Sequence, residues 1–201
     1  MTTVLVVLGG YLSGSIPTGY WIVRAWRGVD IRTVGSGNIG ASNVWRVFGR
    51  RYGIPVVLLD VAKGFAPALV GTLLVGEFTG VLAGGAAMLG HWRPLFLRFE
   101  KGGKTVATAG GAFLGVAPIV GGIGAAVWIV TFLLFRYASL ASILGACSLP
   151  ILAAVLGEPW PVIVFGALAA VAVVLLHRAN IARLRAGTES RFRFGREAPA
   201  R

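Results

Sequence analysis

Thr105–Phe135 reads TVATAGGAFLGVAPIVGGIGAAVWIVTFLLF, a run without one Asp, Glu, Lys or Arg. The hydrocarbon core of a bilayer is about 30 Å thick and is crossed by roughly 20 apolar residues. The run is therefore too long for one crossing and has to turn back on itself. Ala117-Pro118 and Gly121-Gly122 stand near its middle, and Pro and Gly punctuate helices. A break there gives two segments, Thr105–Pro118 and Ile119–Phe135, the first short enough to be re-entrant.

The rest of the chain follows the same rule. Apolar segments run over Thr3–Arg24, Tyr52–Gly76, Thr79–Leu97, Ser139–Gly157 and Trp160–His177. Of the 201 residues 56% are hydrophobic and only 13% charged, too few polar groups to cover a water-soluble surface. Thirty glycines without a triplet repeat fit close helix packing in lipid and exclude collagen. The expected fold is all-α: a polytopic integral membrane helix bundle of about seven transmembrane segments, one domain over residues 1–201. With no basic region or cleavage site ahead of it, the first segment reads as a retained helix.

The net charge of +12 does not point to nucleic acid. The basic residues collect between apolar runs: Arg24–Arg51, Arg98–Lys104, Arg136 and the tail from Arg178. The alternate gaps hold Glu77, the Ala117–Gly121 turn and Glu158-Pro159. Only Lys63 departs from this separation, which places the C-terminus in the cytoplasm and the N-terminus outside. The single Cys147 lies in an apolar run, and neither a disulfide framework nor a cysteine metal site is available.

Two loops on the basic side carry chemistry. VGSGNIGASNVWR spans Val34–Arg46, with Gly35, Gly37 and Gly40 at G-x-G-x-x-G spacing. No strand precedes it and no βαβ unit can follow, so a dinucleotide fold is excluded. Glycines let backbone N–H groups approach an anion, while Ser36, Asn38, Ser42, Asn43 and Arg46 add donors. Anion binding and an ordinary solvated loop are evenly matched. In the second, around Lys101-Gly102-Gly103-Lys104, Arg98 stands where a P-loop needs glycine. Two ammonium groups and the amides opening a helix still favour phosphate over lysines that merely obey topology.

Elsewhere, Asp60 and Lys63 in LLDVAKG sit at membrane depth with i,i+3 spacing. They form either a mutual ion pair or part of a polar cavity lining. Ser139 and Ser142 open the next-to-last segment, and His177 and Asn180 close the last. Neither His91 nor His177 begins a His-x-x-x-x-Asp dyad, since Phe96 and Ala182 stand at that spacing.

Taken in order, GSIPTGY, GSGNIGASN, LLDVAKG, GHWRPLF, KGGKTVAT, RYASLAS and HRANIARLRAGTE resemble the acyl-phosphate:glycerol-3-phosphate acyltransferase family of bacterial membranes. Two departures stand out. The family reads Lys-Gly-Gly-Lys-Gly directly after Phe, whereas Glu100 intervenes here and Thr105 replaces the last glycine.

The resemblance implies acyl transfer from acyl phosphate to the sn-1 hydroxyl of glycerol 3-phosphate, at the cytoplasmic side of a bacterial inner membrane. It implies catalytic roles for Ser36, Lys104, His177 and Asn180. Gly35, Gly37, Asn38, Asn43, Arg46, Lys101, Gly102, Gly103, Ser139 and Ser142 would bind substrate. Acyl phosphate is already activated, so no metal, cofactor or covalent nucleophile is demanded, and no protein partner is expected. His177 or a substrate phosphate oxygen could accept the hydroxyl proton. The competing class is a transporter of small anions or lipids, for which buried charges and broken helices would also be suited.

Overall fold

A computed structural model describes residues 1–192. The described residues are helical with connecting loops: α1 (Thr2–Gly14), α2 (Thr18–Arg27), α3 (Ala41–Phe48), α4 (Arg50–Leu74), α5 (Glu77–Trp92), α6 (Val106–Val116), α7 (Pro118–Phe135), α8 (Ala138–Val155), α9 (Trp160–Leu176) and α10 (Arg178–Arg185). Among them α4, α7 and α8 are long and apolar enough to cross a membrane, and the pair α9–α10, bent by 62°, counts as a fourth if taken as one broken span. The other expected spans are helices too, but shorter: 13 residues in α1, 16 in α5 and 11 in α6.

The break between α6 and α7 falls at Ala117, with Pro118 as the first residue of α7. There a missing N–H costs nothing. The first expected span, by contrast, is two helices rather than one. Pro17 cannot donate to the turn before it and restricts Ile16, so α1 ends at Gly14 and α2 starts at Thr18. The last span likewise bends at His177, where α10 begins. Arg24–Arg51, expected as loop, contains the short helix α3.

The bundle is held by close backbone approach. A Cβ on Gly64 of α4 would lie 2.1 Å from the Thr108 carbonyl oxygen, and one on Gly111 of α6 would lie 2.0 Å from that of Val61. Side chains there would push α4 and α6 apart. Phe113 and Phe165 stack within the main core at 4.9 Å. Outward, Leu58, Leu73, Leu134, Val155 and Leu168 are each more than 59% exposed, which water would penalise and lipid accepts.

The connections sort to two ends. At one, Phe78 touches Trp160 and Thr3 meets Thr79. At the other, the segments before α3, before α6, between α7 and α8, and after α10 are tied together. Arg32 pairs with Glu100 at 2.5 Å, Arg46 donates to the Ser190 carbonyl at 3.2 Å and Phe192 N–H donates to the Arg136 carbonyl at 2.7 Å. The basic loops thus meet at a single end.

Candidate active site

Gly35 and Gly37 have φ of 59° and 68°, a conformation that suits glycine, and they wrap the first loop around Asn43. The buried Asn43 side chain accepts from Ser36 N–H at 2.9 Å and donates to the Asn38 and Val34 carbonyls at 2.9 and 3.2 Å. Asn38 Oδ1 accepts from Gly40 N–H at 2.8 Å. Both asparagines are therefore committed to bracing the loop. Ser36 is left exposed at its tip, and Arg46 leaves α3 toward the tail.

The second loop pairs with the end of α5. Gly102 and Gly103 N–H donate to the Trp92 and His91 carbonyls, both at 2.9 Å, so these amides are not open to an anion. A Cβ on Gly103 would fall 1.9 Å from His91 Nε2, which is why no other residue fits there. Lys101 is exposed, and Lys104 turns inward, where its ammonium donates to Asn180 Oδ1. Burial presses the Lys104 pKa down to about 8, with Glu189 opposing.

Thr105 gives physical content to one departure from the family pattern. It holds φ 63°, ψ −1°, and is 2% exposed with its hydroxyl unpartnered. For a β-branched residue this conformation is strained, by about 1–3 kcal/mol. Thr105→Gly should raise stability by about 1 kcal/mol net of glycine's larger unfolded-state entropy. Thermal unfolding in detergent measures this; a destabilised variant would show that the threonine side chain compensates its own strain. The other departure, Glu100, forms the bond to Arg32, which Asp30 also holds at 2.7 Å.

The centre of the site is a residue that the sequence reading left out. Glu189 Oε1 accepts from Ser139 at 2.6 Å and from Asn180 Nδ2 at 2.7 Å, and Oε2 accepts from Arg183 at 2.7 Å. These bonds hold its carboxylate below the ordinary range although burial pushes it up. They also fix the Asn180 amide, so that its oxygen can face only Lys104. The signal was present as the lone acid closing HRANIARLRAGTE. Arg46 completes the surround: its guanidinium lies 5.6 Å over the Phe192 ring and its Nε is buried without a partner.

His177 Nδ1 lies 2.8 Å from the Val173 carbonyl oxygen. A carbonyl can only accept, so that nitrogen carries the proton and Nε2 keeps the lone pair. Ser142 is drawn elsewhere: its hydroxyl donates to the Ala138 carbonyl at 2.7 Å and meets Trp128 Nε1 at 3.2 Å. Asp60 and Lys63 form an ion pair of 2.7 Å, closed off by Thr18 donating to Asp60 at 2.5 Å and by Lys63 donating to the Ile16 carbonyl at 2.9 Å. Lys63 also reaches an apolar cleft of about 300 Å³ beside Trp21 and Leu59.

The chain is similar throughout to proteins of one kind. The family profile described as glycerol-3-phosphate acyltransferase matches residues 4–187. A glycerol-3-phosphate acyltransferase of Desulforudis audaxviator is 45% identical over 194 residues, 96% of this chain and 98% of that protein. One from Geotalea daltonii is 46% identical, covering 94% and 97%. In structure, the chain matches crystal structures of PlsY, an integral membrane glycerol 3-phosphate acyltransferase. The glycerol 3-phosphate form is 42% identical with TM-score 0.92, and the lysophosphatidic acid form 40% identical with TM-score 0.89. Each alignment covers 96% of both chains.

Proposed function

Because this chain belongs to the glycerol-3-phosphate acyltransferase family, we propose that it transfers an acyl group from acyl phosphate to the sn-1 hydroxyl of glycerol 3-phosphate. The C1 oxygen attacks the acyl carbonyl carbon, and the bond from that carbon to the bridging phosphate oxygen breaks. The hydroxyl proton leaves to His177 Nε2 or to a phosphate oxygen. The products are 1-acyl-sn-glycerol 3-phosphate (lysophosphatidic acid) and inorganic phosphate.

One observation supports this reading above the rest. Lys104 and Arg46 stand with Arg183 around a single carboxylate, leaving a cationic surplus at the end of an apolar bundle. That arrangement fits a phosphorylated head group whose acyl chain stays in lipid. Stabilising charge on the leaving phosphate is the main catalytic demand, and a fixed ammonium with the Arg46 guanidinium near it is suited to that, with Ser36 assigned to the substrate from the exposed tip of the first loop. Asn43, Gly102 and Gly103 brace the two loops rather than touch substrate, and Lys101 draws anions from the rim. Ser139 acts through Glu189, and Ser142 anchors α8. A transporter needs polar lining across the bundle, whereas the internal Asp60–Lys63 pair is neutralised within itself.

In this reading the seven apolar segments cross a bacterial inner membrane with the site at the cytoplasmic face and the C-terminus inside. A reporter fused after Arg201 should report cytoplasm, and one inserted at Glu158 the outside. The reverse pattern would move the site to the wrong side for a soluble cytosolic acceptor.

A further inference from the structure

Apart from the substrate site, four arginines at the same end form no salt bridge among the described residues, Arg24 alone feeling the nearby Asp30 carboxylate. Arg24 and Arg27 close α2, and Arg50 and Arg51 open α4. The described carboxylates are engaged elsewhere: Asp30 and Glu100 on Arg32, Asp60 on Lys63 and Glu189 on Arg183. Glu77 and Glu158 border the turns of the far end. Helix stability does not explain Arg50 and Arg51 either, since cations in a first turn oppose the helix dipole.

Arg27 and Arg51 are set among aromatic rings, whereas Arg24 donates to the Gly28 carbonyl at 2.9 Å. Arg27 lies 5.8 Å from the Phe48 centroid and 5.9 Å from that of Tyr52, and Trp26 meets Tyr52 edge-on at 5.7 Å. Trp26, Arg51 and Tyr52 line an open cleft of about 340 Å³. Trp26 is 58% exposed, a position in which an indole suits the boundary between head groups and acyl chains. Along α4 itself, Arg50, Ile54 and Leu58 follow at four-residue spacing on one face, with Ile54 41% and Leu58 63% exposed. The start of α4 therefore carries guanidinium at Arg50 and Arg51, aromatic rings beside Arg51, and an exposed apolar stripe further along the same helix.

We propose that this surface binds an anionic glycerophospholipid of the surrounding leaflet, separately from the substrate site. Its head-group phosphate is held by Arg50 and Arg51 with Arg24 and Arg27 nearby, and its acyl chains lie along Ile54 and Leu58. Arginine suits the phosphate because its planar fork can donate twice to one phosphate. A free phosphate would make no use of the exposed stripe on α4, which is why the lipid is the chosen occupant. The topology rule accounts for the sign of these charges but does not call for the cleft or the stripe. The proposal rests on the membrane reading of α4 and not on the acyl donor, so it can fail while the acyltransferase assignment stands.

The test is native mass spectrometry of the full chain released from detergent after incubation with phosphatidylglycerol or phosphatidylcholine. The expected result is at least tenfold stronger retention of phosphatidylglycerol, lost in Arg50→Gln/Arg51→Gln. Saturating glycerol 3-phosphate or inorganic phosphate should leave the retention unchanged. An independent Arg24→Gln/Arg27→Gln variant guards against a folding defect in the first pair, and each variant is checked by thermal unfolding. Equal retention of the two lipids, or unaltered retention in both folded variants, would overturn the proposal. Displacement by glycerol 3-phosphate would assign the bound lipid to the substrate site, and displacement by phosphate would assign the surface to free anions; either result overturns it as well.

Discussion

Lys104→Met is expected to lower kcat/KM by about a hundredfold or more in protein that remains folded, since truncating one member of a buried charge pair costs roughly 2–5 kcal/mol. Methionine keeps most of the stem and removes only the ammonium. The variant leaves Asn180 Oδ1 without its donor, a small structural loss beside the loss of a charge from the phosphate site. The same residue should appear in the pH profile. Burial lowers the Lys104 pKa to about 8, so the substrate-free enzyme carries the needed charge below that pH and loses it above. The kcat/KM for glycerol 3-phosphate should fall about tenfold per pH unit on the alkaline limb. In Lys104→Arg that limb should move upward, because guanidinium stays charged throughout. A limb unchanged in Lys104→Arg would assign it to another group.

The largest effect on stability is expected from Glu189→Ala. Its carboxylate receives three hydrogen bonds, and its side chain is only 3% exposed. Removing it leaves the Ser139 hydroxyl and Asn180 Nδ2 without their acceptor and lets Arg183, Arg46 and Lys104 repel one another. Breaking a buried pair costs about 3–5 kcal/mol, and the partial exposure of Arg183 brings the expectation here to about 2–3 kcal/mol. Activity should fall with it, because nothing then fixes which end of the Asn180 amide faces Lys104. Glu189→Gln, which keeps an acceptor for Ser139 and Asn180, should recover part of both. The pH dependence has a definite sign: the folded-state pKa of Glu189 lies below its unfolded value, so its contribution is present above the ordinary carboxylate range and lost as pH falls through the lowered value. Full stability and turnover in Glu189→Ala would make the carboxylate a bystander.

Much of the fold was legible because membrane insertion imposes simple length and charge rules. The α6–α7 break at Pro118 and the meeting of the basic loops at one end were both readable from the chain. The α1–α2 break was legible too, in Ser15-Ile16-Pro17, but the hydropathy window passed over one proline in an apolar run. What could not be read was which groups the protein spends on itself. The Gly102 and Gly103 amides look free in sequence and are consumed by α5 carbonyls that only the fold brings near. Asn43 and Ser142 look like substrate donors and are bonded locally. Glu189 was marked only as the lone acid of its motif beside Arg183, and its wider importance comes from Arg46 and Lys104, drawn from distant parts of the chain.

The donor we propose is an acyl phosphate held by a compact cationic cradle. A coenzyme A thioester would need a surface for a large nucleotide, and the loops around Lys104 are short and packed against α5. The decisive measurement is product formation by purified protein given glycerol 3-phosphate and each donor in turn. Acyl phosphate should yield lysophosphatidic acid and inorganic phosphate in equal amounts, and acyl coenzyme A should yield none. Turnover with the thioester and none with the acyl phosphate would contradict the donor assignment and the role given to Lys104.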